Sequence, residues 1–231
     1  LNKVHIWSIQ LDQPTRSSSL AKLLSEDETA RAARFHFARD AHHYTVGRAT
    51  LRLILSQYLA LPPAALTFDY NAYGKPLLAP AQNPVGLAFN LTHSGGHALC
   101  AITHGHAVGI DLEVMRELDY LQMAGTVFSA QEQAVLRSLP VTDHQRAFYN
   151  GWTRKEAYIK AHGQGLSMPL ADFDVTLAPH EPARLLATRP DPSEAARWSL
   201  YGWSIDTDRV AALAVAGQDW QIDWHESSDL Q

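Results

Sequence analysis

A single cysteine in 231 residues excludes an internal disulfide and suits a reducing compartment. That residue, Cys100, lies in the apolar run Ala98-Leu99-Cys100-Ala101-Ile102 and is expected in the core. No apolar run is long enough to span a bilayer and no secretory signal is visible, so a cytoplasmic protein without a membrane partner is expected. Positive charge is not in excess. Nineteen Lys and Arg against 24 Asp and Glu leave −5 overall, which excludes an electrostatic grip on nucleic acid as the organising function. His93, His97, His104 and His106 fall close together, but no Cys pair accompanies them and the spacing of structural zinc is absent. There is no Gly-x-Ser-x-Gly elbow for a hydrolase, no internal repeat and no low-complexity linker. The chain begins at Leu1, so a short preceding piece or an initiator Met is expected.

What remains is a large apolar fraction, 46%, and a mixed pattern of elements. Lys3 to Ile9 reads as a strand. Ser25-Glu26-Asp27-Glu28 reads as an N-cap opening a helix to about Arg34, and Asp40 to Ala60 is a second helix, ended by Leu61-Pro62-Pro63. Tyr73-Gly74-Lys75-Pro76 is a turn. Gly86 to Asn90 leads into a strand, and Ser94-Gly95-Gly96 connects it to another over His97 to Thr103. Gly105 precedes a third strand. Further on, Ser129 to Glu132 opens a helix toward Ser138, Asp143 to His162 is a long helix closed by Gly163-Gln164-Gly165, and Phe173 to Leu177 is a strand. Trp198 to Ile205 and Val210 to Ala216 form a hairpin. This order predicts an α+β protein in two similar halves, residues 1–105 and 106–231.

Three carboxylates stand out. In Val108-Gly109-Ile110-Asp111-Leu112-Glu113 the apolar residues alternate with Gly109, Asp111 and Glu113, so both acids leave one face of a strand. On the long helix, counting about 100° per residue from Trp152 puts Phe148 near −40°, Ile159 near −20° and Glu156 near +40°. Glu156 therefore falls within the apolar stripe. A buried carboxylate without a partner protonates or finds a cation, and if strand and helix meet, three acids converge on a site suited to a hard cation. Lys160 lies one turn beyond Glu156 and reaches the same region, or simply pairs with Glu156 on the helix.

Gly109-Ile110-Asp111-Leu112-Glu113 resembles the G-I-D-[IL]-E signature of the 4′-phosphopantetheinyl transferases. The run from Trp152-Thr153 through Lys155-Glu156-Ala157 to Lys160 resembles their second signature, W-[ST]-x-K-E-[AS]-x-x-K. Tyr73-Gly74-Lys75-Pro76 and Phe89-Asn90-Leu91-Thr92-His93-Ser94 are similar to the two upstream motifs of the longer class that activates surfactin synthetase. The four occur in the family's order and the resemblance spans roughly residues 25 to 215.

The resemblance implies two α+β halves related by a pseudo-two-fold, with coenzyme A bound between them. It implies transfer of the 4′-phosphopantetheine arm of coenzyme A to a serine of an apo acyl or peptidyl carrier, releasing adenosine 3′,5′-bisphosphate. Asp111, Glu113 and Glu156 are then ligands of Mg²⁺ or Mn²⁺. Lys160 meets the pyrophosphate, His93 and Thr92 approach the coenzyme's phosphates, and Tyr73, Gly74 and Lys75 line the adenine pocket. Arg48, followed by Arg31 and Arg34, is expected to clamp the 3′-phosphate. Lys155 is open between phosphate, carrier and solvent. The serine proton passes either to Glu156 or, through a water, to Glu132, which also has the reciprocal position of a capping box. The chain carries both halves, so an active monomer is expected, with the carrier docking around Leu118 to Phe128. The competing readings are a metal-dependent phosphoesterase and a non-catalytic coenzyme A-binding module.

Overall fold

The computed structural model describes residues 2–12 and 17–230. Leu1 lies outside them. In chain order the elements are β1 (Asn2–Gln10), α1 (Ser17–Ala21), α2 (Glu26–Ala32), α3 (Ala38–Leu59), β2 (Phe68–Tyr70), β3 (Pro76–Leu78), β4 (Leu87–Ser94), β5 (His97–His104), β6 (Val108–Val114), α4 (Tyr120–Val127), α5 (Ala130–Ser138), α6 (His144–His162), β7 (Phe173–Val175), β8 (Leu185–Thr188), β9 (Trp198–Ser204), β10 (Arg209–Ala216) and β11 (Trp220–Glu226). The protein is α+β, as the order of strand and helix patterns predicts.

Two sheets carry the architecture. One has the strand order β11-β1-β5-β4 and the other β6-β10-β9; β2-β3 and β7-β8 form separate small ribbons. Their inner faces pack together through Val4, Ile6, Leu99, Ile110, Leu112 and Leu213, all fully or almost fully buried. The long α3 covers the first sheet with Val46, Leu51, Ile54 and Leu55, while α6 covers the second with Phe148, Ala157 and Ile159. Both helices are thus held by an apolar face laid on a sheet, which is where most helical stability comes from.

The chain leaves the first sheet for the second at the turn between β5 and β6. The C-terminal portion also contributes to the first sheet: its last strand, β11, returns to pair in parallel with β1, from Asn2↔Trp220 to Ser8↔Glu226.

The edges β4 and β6 lie side by side without belonging to one sheet. Side chains join them instead. Asn90, Thr92 and Ser94 alternate along β4 and so share a face. The Ile110 N–H donates to Asn90 Oδ1 (2.8 Å), Thr92 Oγ1 donates to Asp111 Oδ1 (3.2 Å), and the Val114 N–H donates to Ser94 Oγ (3.1 Å). This seam holds the candidate site.

Candidate active site

Helix α6 runs across the back of β6 at unusually close range. A Cβ at Gly109 would stand 2.1 Å from the Ala157 carbonyl oxygen and 2.3 Å from the Ala161 nitrogen, so only glycine permits the approach. That closeness brings the helix acid and lysine to the strand acids.

Asp111 is the centre of the arrangement. It is 3% exposed, accepts from Lys160 Nζ at 2.6 Å through Oδ1, and shares that oxygen with Thr92. Lys160 Nζ also reaches Thr92 Oγ1 at 3.0 Å. Among the described residues, the other carboxylate oxygen, Asp111 Oδ2, is buried without a partner, and so is Glu156 Oε1. Burial pushes the Asp111 pKa up to about 7 against the opposing pull of Lys160, with Glu113 and Glu156 pushing the same way as burial. Burial also raises Glu156, opposed by Lys160 and assisted by Glu113. Glu113 is oriented from two sides, Trp152 Nε1 donating to Oε1 and Ser94 Oγ to Oε2, each at 3.2 Å.

The three acids thus share one electrostatic neighbourhood, but they do not form a closed cage. Among the described residues no group of three or more His, Cys, Asp or Glu side chains is arranged to hold a metal ion. Lys160 occupies Asp111, not Glu156, so the plain Glu156–Lys160 helix pair is not what this lysine makes.

His93 stands exposed at the end of the seam. Enough protein surrounds its ring to lower its pKa, with His43 and Lys160 adding to the effect. On the other flank, the turn Tyr73-Gly74-Lys75 is formed with Gly74 at φ +82°, and Tyr73 is 57% exposed. Lys75 reaches inward to the C-terminal end of α6, donating to the carbonyls of Lys160 (2.6 Å), Val108 (3.2 Å) and Ala161 (3.3 Å). Burial lowers its pKa to about 8. A cavity of 660 Å³ opens beside it, with Asn71, Phe89 and His162 in its wall.

Three expected roles meet different surroundings. Lys155 is fully buried, paired with Glu132 Oε2 at 2.9 Å and donating to the carbonyls of Leu170 and Phe173. Glu132 is equally committed: the Ser129 and Val175 N–H groups donate to its two oxygens at 2.8 Å. With Lys155 these give the Glu132 carboxylate three partners inside the fold. Arg48 is buried against Glu28, donates to Tyr70 Oη at 3.2 Å and stacks on Phe68. Arg52 completes that cluster by meeting Glu28 Oε2 at 2.7 Å. Arg31 and Arg34 are exposed. Ser94 and Trp152 are site residues missed as such; both sit inside the quoted motifs, and their positions beside Glu113 are visible only when strand and helix meet.

Two buried carboxylate oxygens without a partner among the described residues, a lysine shared between acid and hydroxyl, and a histidine at the rim are chemistry suited to a phosphate-bearing substrate. Residues 107–216 match the model of the 4′-phosphopantetheinyl transferase superfamily, and residues 12–104 match that of the 4′-phosphopantetheinyl transferase N-terminal region. The chain is 43% identical to the 4′-phosphopantetheinyl transferase HetI of Nostoc sp., over 97% of its own length and 92% of the relative's. It is 31% identical to the 4′-phosphopantetheinyl transferase ffp of Bacillus subtilis, over 94% and 95%, and 28% identical to Sfp of the same species, also over 94% and 95%. The chain belongs to the 4′-phosphopantetheinyl transferase family and is an enzyme of the Sfp-like type.

Proposed function

We propose that the donor is coenzyme A and the acceptor a serine hydroxyl of an apo carrier protein, joined at the seam between β4 and β6. The observation that carries this reading is the pairing of Lys160 with Asp111 and Thr92 beside two buried, unpartnered carboxylate oxygens, Asp111 Oδ2 and Glu156 Oε1.

Those two oxygens fit Mg²⁺, which takes few carboxylates and completes its shell with water and substrate phosphate. Asp111 and Glu156 would hold it, with Glu113 steadied nearby by Trp152 and Ser94. Bound there, it supplies charge neutralisation for the pyrophosphate. The serine oxygen forms a bond to the phosphorus bearing the pantetheine arm, and the bond from that phosphorus to the bridging oxygen breaks. Adenosine 3′,5′-bisphosphate leaves with that electron pair, and Lys160 stabilises its charge. Glu156 accepts the serine proton; a raised pKa brings a carboxylate closer to the working pH of a general base. His93 donates to a phosphate oxygen. The nucleotide lies against the Tyr73-Gly74-Lys75 turn, and Arg31 and Arg34 meet the 3′-phosphate, with Arg48 behind them tied to Glu28.

The carrier docks over Leu118, Leu121 and Met123, which are 41–42% exposed beside a 370 Å³ cavity reaching Glu113 and Trp152. Phe128, within the expected docking stretch, is only 4% exposed and serves the core. Strand and helix come from one chain, so the site is complete in a monomer.

The test is intact mass of apo carriers incubated with the protein, coenzyme A and Mg²⁺. A phosphopantetheine-sized gain that EDTA abolishes is expected. Breakdown of coenzyme A without carrier labelling would replace the transferase reading of the donor and acceptor with a phosphoesterase.

A further inference from the structure

Away from the seam, a groove of 440 Å³ opens between the first sheet and the turn joining β9 to β10. None of the residues assigned above to donor, acceptor or metal lines it. Its buried polar wall is His97, which is 4% exposed. His97 Nε2 lies 3.3 Å from Ser8 Oγ, while Nδ1 is buried with no partner among the described residues. Burial, with Arg209 assisting, lowers the His97 pKa despite Glu226 and Asp206.

The other features of the groove are acceptors and aromatic faces. Glu226 is exposed and its carboxylate has no partner among the described residues. Arg209, the single fixed cation of the lining, gives its Nε to Asp206 at 2.7 Å. Asp206, Glu226 and Arg209 together leave one net negative charge, which repels an anionic ligand. Trp203 and Trp224 meet edge to face, centroids 5.2 Å apart at 88°, and Tyr201 stacks behind Trp203. Trp224 is 42% exposed. Indole is the aromatic ring most favourable to a cation above its face. We propose that this groove binds a primary aliphatic ammonium group, lodged against Trp203 and Trp224 and donating to the Glu226 carboxylate. The chemistry is that of a free alkylamine or of a lysine side chain.

The experiment follows the indole N–H signals of Trp203 and Trp224 in ¹⁵N-labelled full-length protein, assigned with Trp203→Phe and Trp224→Phe. One arm titrates 1,5-diaminopentane, a second a lysine peptide with blocked termini, and a third the neutral pentan-1-ol. Saturable shifts of both indoles with an amine, and none with the alcohol, are expected. Tighter binding of the diamine identifies a free amine; tighter binding of the peptide identifies a partner's lysine. Glu226→Gln, at an exposed position safe for folding, is expected to weaken binding about tenfold, and Trp224→Ala about threefold or more. The proposal is overturned if neither amine saturates, if pentan-1-ol matches them, or if Glu226→Gln binds as the unaltered protein does.

Discussion

Asp111 is held where a carboxylate is hardest to keep charged, with one oxygen given to Lys160 and the other without a partner among the described residues. Its pKa, pushed up to about 7 by burial, lies above the ordinary value of about 4. Between those values the folded protein binds this proton more tightly than the unfolded chain does. The group's stabilising contribution is therefore full below about pH 4 and is lost as pH rises through about 7. Asp111→Asn is expected to remove that fall and to abolish transfer. Thermal midpoints in EDTA across this range would show it, and a slope equal to the unaltered protein's would mean that Asp111 titrates as an ordinary carboxylate. Glu156→Gln keeps the shape of a side chain whose Oε1 is already unpartnered. It is expected to leave the melting temperature undiminished and to slow transfer by about a hundredfold or more. Normal turnover at limiting Mg²⁺ would remove Glu156 from the site. Lys155 and Glu132 make the contrasting case. Breaking their buried pair with Lys155→Met is expected to cost about 3–5 kcal/mol, read from urea midpoints. Turnover per folded molecule is expected to persist, and a selective loss of turnover would return Lys155 to the active site.

At the scale of elements, the site depends on how closely α6 lies on β6. Gly109→Ala puts a methyl group against the helix backbone, and an overpacked contact of this kind costs about 1–3 kcal/mol. Such a variant is expected to lose stability and transfer together, because Lys160 and Glu156 ride on the displaced helix. Full transfer with lowered stability would show that the helix shifts without moving its acids. The two elements themselves were legible: period two put Asp111 and Glu113 on one face of a strand, and period 3.6 put Glu156 in the apolar stripe of a helix. The Ser25 N-cap and the Ser129 capping box likewise appear where their sequences put them. What escaped were features decided at a distance. Lys155 flanks the stripe in projection, and only the location of Glu132 on another helix explains its burial. The short α4 begins at Asp119, whose side chain accepts from the Gln122 N–H, a cap visible in the sequence but lacking a long apolar stripe behind it. Strands β2, β3 and β8 are three or four residues long, too short for alternation to declare itself. Strand β11 carries the alternation Trp220, Ile222, Trp224, yet nothing local names a partner more than 200 positions away.

For the whole molecule, the seam matters more than either sheet. Its strands supply Thr92 and His93 from one side and Asp111 and Glu113 from the other, tied by side chains where a continuous sheet would use its backbone. A single 25.6 kDa species in sedimentation, active at that size, is the expected solution state; activity confined to an oligomer would mean that one chain does not complete the site. Strand β11 adds a consequence for how the molecule comes into being. Strand β1 lies between β5 and β11 and pairs with residues more than 200 positions further along the chain. Until β11 is made, β1 offers an open backbone edge to any neighbour. A nascent chain of this enzyme thus carries an adhesive strand edge while those residues are being added, and it needs protection while it is still being translated.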